Sequence, residues 1–265
     1  MKRNILESIV EHKRREVESA KLAVPAKQLQ QTKDYSREII SLKQSLSNES
    51  GTGIIAEFKR KSPSKGIFNA GALPEVLTKA YAEGGASGLS VLTDQAFFGG
   101  NNEDLIKARK NVIPILRKDF IIDDYQITEA KAIGADVILL IAACLTPQVV
   151  KSFASFAKSL GLEVLLEIHD ENELLHICDE VDLVGVNNRN LKTFEVSIEH
   201  SIDLSRKISD DKIKIAESGI SDVSTIILLK KHGFKGFLIG EAFMKEKDPE
   251  IAFARFVHQL KTGDT

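Results

Sequence analysis

The chain has 265 residues, 43% hydrophobic and 28% charged, a balance that can bury a full core and excludes a disordered protein. Thirty-six Lys and Arg against 38 Asp and Glu leave a formal net charge of −2, so no global basic field exists to gather nucleic acid or coat an anionic membrane, and any anion site must be local. Two cysteines, Cys144 and Cys178, are too few for a disulfide framework or a thiolate zinc site and point to a reducing cytoplasm.

Residues 1–48 read as helical and carry no convincing strand. Lys2 and Arg3 lead into Glu7 and Glu11 rather than into the apolar core of a signal peptide. Asn4 is placed to cap a helix with Glu7 at its third position, and Ile5, Leu6, Ile9, Val10 and Val17 lie along one stripe, which makes an amphipathic helix in need of a surface. A second helical segment is expected over 36–46, with Ile39, Ile40, Leu42 and Leu46, before the Ser-Asn-Glu-Ser-Gly-Thr-Gly stretch breaks the pattern.

From Gly53 onward a short β-branched run alternates with a helical run. Strands are expected at Ile54–Phe58, Gly88–Leu92, Val112–Leu116, Asp136–Ala142, Glu163–Ile168, Leu183–Asn187, Ile213–Glu217 and Gly236–Gly240. Their starts recur about every 26 residues, which suits one βα module. The apolar run from Val137 to Leu145 is too short to cross a bilayer. Gly84, Gly134, Gly161 and Gly233 follow apolar helical runs, where a left-handed residue stops a helix. Asp248 and Pro249 open a last helix through Ile251, Phe256, Val257 and Leu260. Eight such units fit a closed (β/α)8 TIM barrel with an N-terminal helical extension, one domain over 1–265. The alternative, an open doubly wound sheet, lacks its usual Gly-x-Gly-x-x-Gly turn after the first strand.

In a parallel barrel, side chains alternate between interior and helix layer, so inward residues at the C-terminal strand ends meet at one mouth. Glu57 and Lys59 share a face of the first strand. Lys118 follows the third near the mouth, Glu167 lies at the end of the fifth, Asn187 of the sixth and Glu217 of the seventh. Any one of these is readily a surface residue. Together they bring carboxylates and ammonium groups to one rim, an arrangement that can hold proton donors and acceptors side by side. The stretches Ser62-Pro63-Ser64-Lys65-Gly66, Ser218-Gly219-Ile220-Ser221 and Gly240-Glu241-Ala242 follow the first, seventh and eighth strands. The last two loops are where barrels bind phosphate, through backbone N–H groups that glycine lets approach. Lys59-Arg60-Lys61 has no aromatic interleaving and is no nucleic-acid patch. His169 is a weak candidate base, Cys144 a packed thiol, and Phe97, Phe98 and Phe120 either cover the core or build an aromatic pocket. The six histidines are too scattered for metal ligation.

Glu57 to Ser64 (Glu-Phe-Lys-Arg-Lys-Ser-Pro-Ser), Leu92-Thr93-Asp94 with Phe97 to Gly100, Pro114 to Phe120, Glu167 to Asp170, Gly185 to Leu191, Ala216 to Ile220 and Leu238 to Ala242 form an ordered series that resembles the signatures of the indole-3-glycerol-phosphate synthase family. The resemblance runs from the N-terminal helix to the last helix. It implies a decarboxylating and dehydrating ring closure in tryptophan biosynthesis, from 1-(2-carboxyphenylamino)-1-deoxyribulose 5-phosphate to indole-3-glycerol phosphate, without metal or organic cofactor. It further implies that Lys118 is the general acid at the substrate ketone, that Glu167 supports the acid–base steps, and that Glu57 and Lys59 assist dehydration, with Lys59 also near the substrate carboxylate. Asn187 and Glu217 would hold sugar hydroxyls and the charge network, and Arg189 the rim. Ser62, Ser218, Gly219, Gly240 and Glu241 would match the phosphate site; Phe98, Phe120, Leu139, Ile141 and Leu191 would match the ring pocket. Where the family has an aromatic residue in the early helix, this chain has His12 or its neighbours. The expected partner is a phosphorylated small molecule, with no nucleic acid and no membrane, and a cytoplasmic monomer is the expected state. The sign of any Lys118 pKa shift is open, because burial and carboxylates act in opposite directions.

Two rivals fit the same residues. One is Schiff-base chemistry at Lys118, as in class I aldolases; the other is a non-catalytic barrel that binds a phosphorylated ligand. Phosphoribosylanthranilate isomerase is disfavoured, since a Cys is expected near the end of its first strand and this chain has Glu-Phe-Lys.

Overall fold

The structure is a computed structural model that describes residues 5–63, 65–190 and 195–263. The sheet is a closed barrel of eight strands: β1 (Ile54–Phe58), β2 (Gly88–Leu92), β3 (Ile115–Lys118), β4 (Val137–Ile141), β5 (Glu163–Ile168), β6 (Leu183–Asn187), β7 (Ile213–Glu217) and β8 (Phe234–Ile239). Each strand pairs in parallel with its sequence neighbours, and β1 closes the ring on β8, with Ile55 opposite both Leu238 and Gly88. Helices or helical turns connect the strands. After β5 the connection is only a 3₁₀ helix, Glu171–His176.

Strand alternation sorts the apolar residues into two cores. Ile54, Ala56, Phe58, Ile138, Leu140, Val164, Leu166, Val184, Val186 and Ala216 pack outward against the helices. Ile55, Leu116, Leu139, Leu165, Leu183, Ile215 and Leu238 fill the interior. The second set makes an apolar floor beneath whatever lies at the mouth.

The N-terminal extension embraces the barrel from end to end. Helix α1 (Ile5–Ala23) begins over the mouth and runs down beside the helix Asp124–Ala132, where the Tyr125 hydroxyl donates to the carbonyls of Ala20 and Val24. Helix α2 (Leu42–Ser47) then plugs the opposite end, with Leu42 and Leu46 joining the interior core. Glu163, at the start of β5, fixes that plug by accepting from Leu42 N at 2.8 Å, from Lys43 N at 3.1 Å and from the Ser41 hydroxyl. Asp136 ties the same end together, accepting from Ile40 N at 2.9 Å and Ile115 N at 2.7 Å and pairing with Arg37 and Arg109.

Several sequence expectations need correction. The second helical segment is not continuous over 36–46: a 3₁₀ turn, Lys33–Ser36, is followed by extended chain and then by α2, which Ser41 caps. The third strand begins at Ile115 rather than Val112, because Pro114 has no N–H for the ladder and Val112 lies almost wholly in solvent. The fourth ends at Ile141, where Ala142–Cys144 turns into a 3₁₀ helix, so Cys144 lies beyond the strand. The eighth starts earlier, at Phe234, with a register shift before Gly236. Gly134, Gly161 and Gly233 are left-handed as expected, but Gly84 is right-handed and its neighbour Gly85 takes the positive φ. Asp248 gives no side-chain cap to the last helix, which starts on Pro249. Asn4 lies outside the described residues.

Candidate active site

At the mouth, the interior face changes from apolar to charged over two residues along four of the strands: Ile55 to Glu57, Leu116 to Lys118, Leu165 to Glu167 and Ile215 to Glu217. Lys118 Nζ lies 2.6 Å from Glu167 Oε2 and 2.9 Å from Glu217 Oε2, bridging β3 to β5 and β7. Glu57 Oε1 lies 2.5 Å from Lys59 Nζ. Asn187 donates from Nδ2 to Glu167 Oε1 at 2.9 Å and accepts from Arg189 N at 3.0 Å. These groups line a cavity of about 390 Å³.

Burial and charge act unequally on these groups. Burial opposes the ammonium of Lys118, but Glu167, Glu217 and Glu57 outweigh it and hold its pKa above the ordinary lysine value. The sign left open by the sequence is therefore upward. Burial also opposes the charge on Glu167, yet Lys118 and His169 keep it well below the ordinary carboxylate range. Glu217 goes the other way: burial, relieved in part by Lys118 and reinforced by Glu167, pushes it up to about 7. The cluster thus holds an ammonium, a firm carboxylate and a carboxyl that changes state near neutrality. Glycines make room for the carboxylates. A Cβ at Gly185 would overlap Glu217 Oε1, and one at Gly240 would lie 2.6 Å from Glu57 Oε1.

The two ends of the cavity differ in character. At one, Phe98 and Phe120 tilt towards each other with ring centroids 6.0 Å apart, beside Leu139 and Ile141, and Ile5, Leu6 and Ile9 of α1 also line the space. At the other are Ser62, Ser218, Gly219, Gly240 and Glu241. Ser218 and Gly219 both have positive φ, 68° and 71°. A serine in this region is strained; Asn188 Nδ2 holds it by donating to its carbonyl at 2.6 Å. The Glu241 carboxylate is engaged by Arg189 at 3.4 Å and Lys65 at 4.0 Å. Among the described residues, no group of three His, Cys, Asp or Glu is placed to hold a metal ion.

Every site residue expected from the sequence lines this one cavity, except Leu191, which lies outside the described residues together with Ser64. His169 is no free base: Glu167 and Glu173 stand 3.2 and 3.4 Å from its ring nitrogens. Burial disfavours its charge, but these carboxylates win and push its pKa up to about 10. The Cys144 thiol is pushed up to about 12 by burial, as suits a packed side chain. His12 stacks edge-on to Phe97 at 5.7 Å. Ser221, part of the stretch after the seventh strand, also lines the anion end; the sequence reading missed Lys245 there and did not place the Ile5, Leu6 and Ile9 stripe at the mouth. The spacing of Lys245, four residues after Glu241 on the helical turn beyond the eighth strand, is a signal that could have found it.

Comparison with known proteins agrees with this geometry. The family model described as indole-3-glycerol phosphate synthase matches residues 6–256. The chain is 46% identical over 260 residues to the indole-3-glycerol phosphate synthase of Bacteroides thetaiotaomicron, covering 98% of this chain and 100% of the relative. It is 40% identical over 257 residues to that of a Polaromonas species, covering 95% and 97%. Among solved structures, a mutant tryptophan synthase alpha-subunit from Pyrococcus furiosus superposes with a TM-score of 0.60 at 17% identity, over 80% of this chain and 98% of that one. The 3-hexulose-6-phosphate synthase of Salmonella typhimurium does so with a TM-score of 0.61 at 13% identity, over 79% and 98%. These two likenesses speak to the TIM-barrel fold alone. With a family match over almost the whole chain and near full-length relatives at this identity, the chain belongs to the indole-3-glycerol phosphate synthase family.

Proposed function

We propose that Lys118, clasped between Glu167 and Glu217, is the proton donor with which the chain closes the indole ring. The reaction converts 1-(2-carboxyphenylamino)-1-deoxyribulose 5-phosphate to indole-3-glycerol phosphate, carbon dioxide and water. Substrate and product together fix the bonds: the ring carbon that bears the carboxylate bonds to the ketone carbon, carbon dioxide leaves, and the former ketone oxygen departs as water. As the ring carbon attacks, negative charge builds on the ketone oxygen. An ammonium that is charged at all working pH values stabilises that charge and can transfer its proton to an alkoxide, which is the stronger base.

The observation that carries this reading is the position of Lys118 Nζ, in a cavity with an aromatic wall at one end and serine and glycine loops at the other. The aryl ring lies against Phe98, Phe120, Leu139 and Ile141. The phosphate lies among Ser62, Ser218, Gly219, Gly240 and the backbone of Glu241. The ketone between them then faces Lys118. Glu167 receives and returns protons, aided by Asn187. Lys59 neutralises the substrate carboxylate and, with Glu57, serves the dehydration. Glu217 completes the charge network at the sugar hydroxyls, and Arg189 steadies the rim. We assign residues 1–265 to a single domain acting as a cytoplasmic monomer.

Glu167→Gln tests the acid–base assignment. It is expected to lower kcat by about 10²-fold or more, with KM changed far less. A near-normal kcat would remove Glu167 from the chemistry.

A further inference from the structure

Beneath α1 lies a buried charge cluster that the proton transfers do not use. Lys13 stands one helical turn after Ile9 and is wholly buried. Its Nζ donates to Glu16 Oε1 at 3.0 Å and stands 2.9 Å from Asp119 Oδ1 and 3.0 Å from Asp94 Oδ2 as ion-pair contacts. The two aspartates come from different loops. Asp94 follows β2, and its Oδ1 accepts from Phe97 N at 2.7 Å and Phe98 N at 3.3 Å. Asp119 follows β3 directly after Lys118, and its Oδ1 accepts from Phe120 N at 2.8 Å. Its Oδ2 accepts from the Thr93 hydroxyl at 2.6 Å and stands 3.2 Å from Arg117 Nη2.

The carboxylates joined by Lys13 therefore hold the backbones of Phe98 and Phe120, the two rings that face each other across the aromatic end of the cavity. A buried ion pair is a poor device for stability alone, since well-packed apolar residues often serve as well. What an ammonium adds here is a fixed separation between two carboxylates that would otherwise repel, set from the helix whose Ile5, Leu6 and Ile9 line the same cavity.

We propose that Lys13 is a positioning residue of the ring pocket: it couples the docking of α1 over the mouth to the spacing of Phe98 and Phe120. It thereby sets affinity for the aromatic end of the substrate without entering the chemistry. The inference rests on the assignment of those two phenylalanines to the aryl ring. Steady-state kinetics of the full-length protein decide it, run at a temperature where circular dichroism shows each variant folded. Lys13→Met is expected to raise KM about tenfold while kcat stays within about threefold. Asp94→Asn, which keeps the oxygen that caps Phe97 and Phe98 but loses the charge, is expected to raise KM in the same way and stands in if Lys13→Met does not fold. Phe98→Ala is the control for the pocket. If Phe98→Ala raises KM but the folded Lys13 or Asp94 variant keeps the parental KM, or loses kcat alone, the role of Lys13 is overturned by itself. If Phe98→Ala also leaves KM unchanged, the ring pocket falls and takes the inference with it.

Discussion

On the reading proposed above, Lys118 is a weak acid placed where a strong base is about to form. Its neighbours do not sharpen its acidity; they keep it charged and aimed. The tension in the cluster is stored instead on Glu217, held at about 7 from an ordinary value of 4.5. A carboxyl whose pKa is raised on folding contributes stability that is complete below the unfolded pKa and is lost as pH rises through the folded one. Stability should therefore fall in the parent, relative to Glu217→Gln, between pH 4.5 and about 7. Urea unfolding of both proteins at pH 5 and pH 8 checks this, with a change in their difference of about 1–3 kcal/mol in favour of the variant at the higher pH. Parallel profiles would contradict it. At this scale the sequence was explicit about which groups converge and silent about their protonation. Glu167 and Glu217 occupy equivalent strand ends, but His169 backs the first and not the second. Lys13 was legible too, since it shares the i, i+4 stripe with Ile9 and Val17, yet a lysine on an apolar face is naturally passed over until its acidic partners are placed.

At the scale of elements, the strands place the chemistry and their glycines admit it. Gly185 on β6 lies beside Glu217 of β7, where a side chain would displace the carboxylate. Gly185→Ala is expected to lower kcat/KM by about 10²-fold, the usual effect of moving a catalytic group by about 1 Å, while the circular dichroism spectrum is retained. Parental kinetics in this variant would mean that Glu217 needs no fixed position. Strand positions were readable because β-branched runs, glycine stops and a regular spacing all agreed. Two of the exceptions involve distant contacts. The start of β3 depends on Pro114 and on Asp136, just ahead of β4, which accepts from Ile115 N. The late start of α2 depends on Glu163, some 120 residues away in sequence.

Across the whole molecule, the two ends of the barrel carry different duties. The mouth gathers the buried charges assigned above to the reaction; the opposite end uses charges to close the fold, with Asp136 and Glu163 satisfied by backbone N–H groups and Asp136 also by two arginines. Asp136→Asn is expected to cost about 3–5 kcal/mol in urea unfolding, as for a broken buried pair, while kcat of the folded protein is preserved. A large loss of kcat with little loss of stability would reverse this division. The extension belongs to both ends, through α1 at the mouth and α2 at the floor, a path that periodicity in residues 1–48 could announce as helix but could not route.

The most direct test of Lys118 as the proton donor is turnover of the carboxyphenylamino ribulose phosphate by Lys118→Ala, followed through the fluorescence of the indole product. The expected result is a loss of about 10²–10⁴-fold in kcat with an unchanged circular dichroism spectrum, and no adduct when borohydride is added to the parent protein with substrate. Near-normal turnover by Lys118→Ala, or a stable borohydride-trapped adduct on Lys118 of the parent, would contradict it.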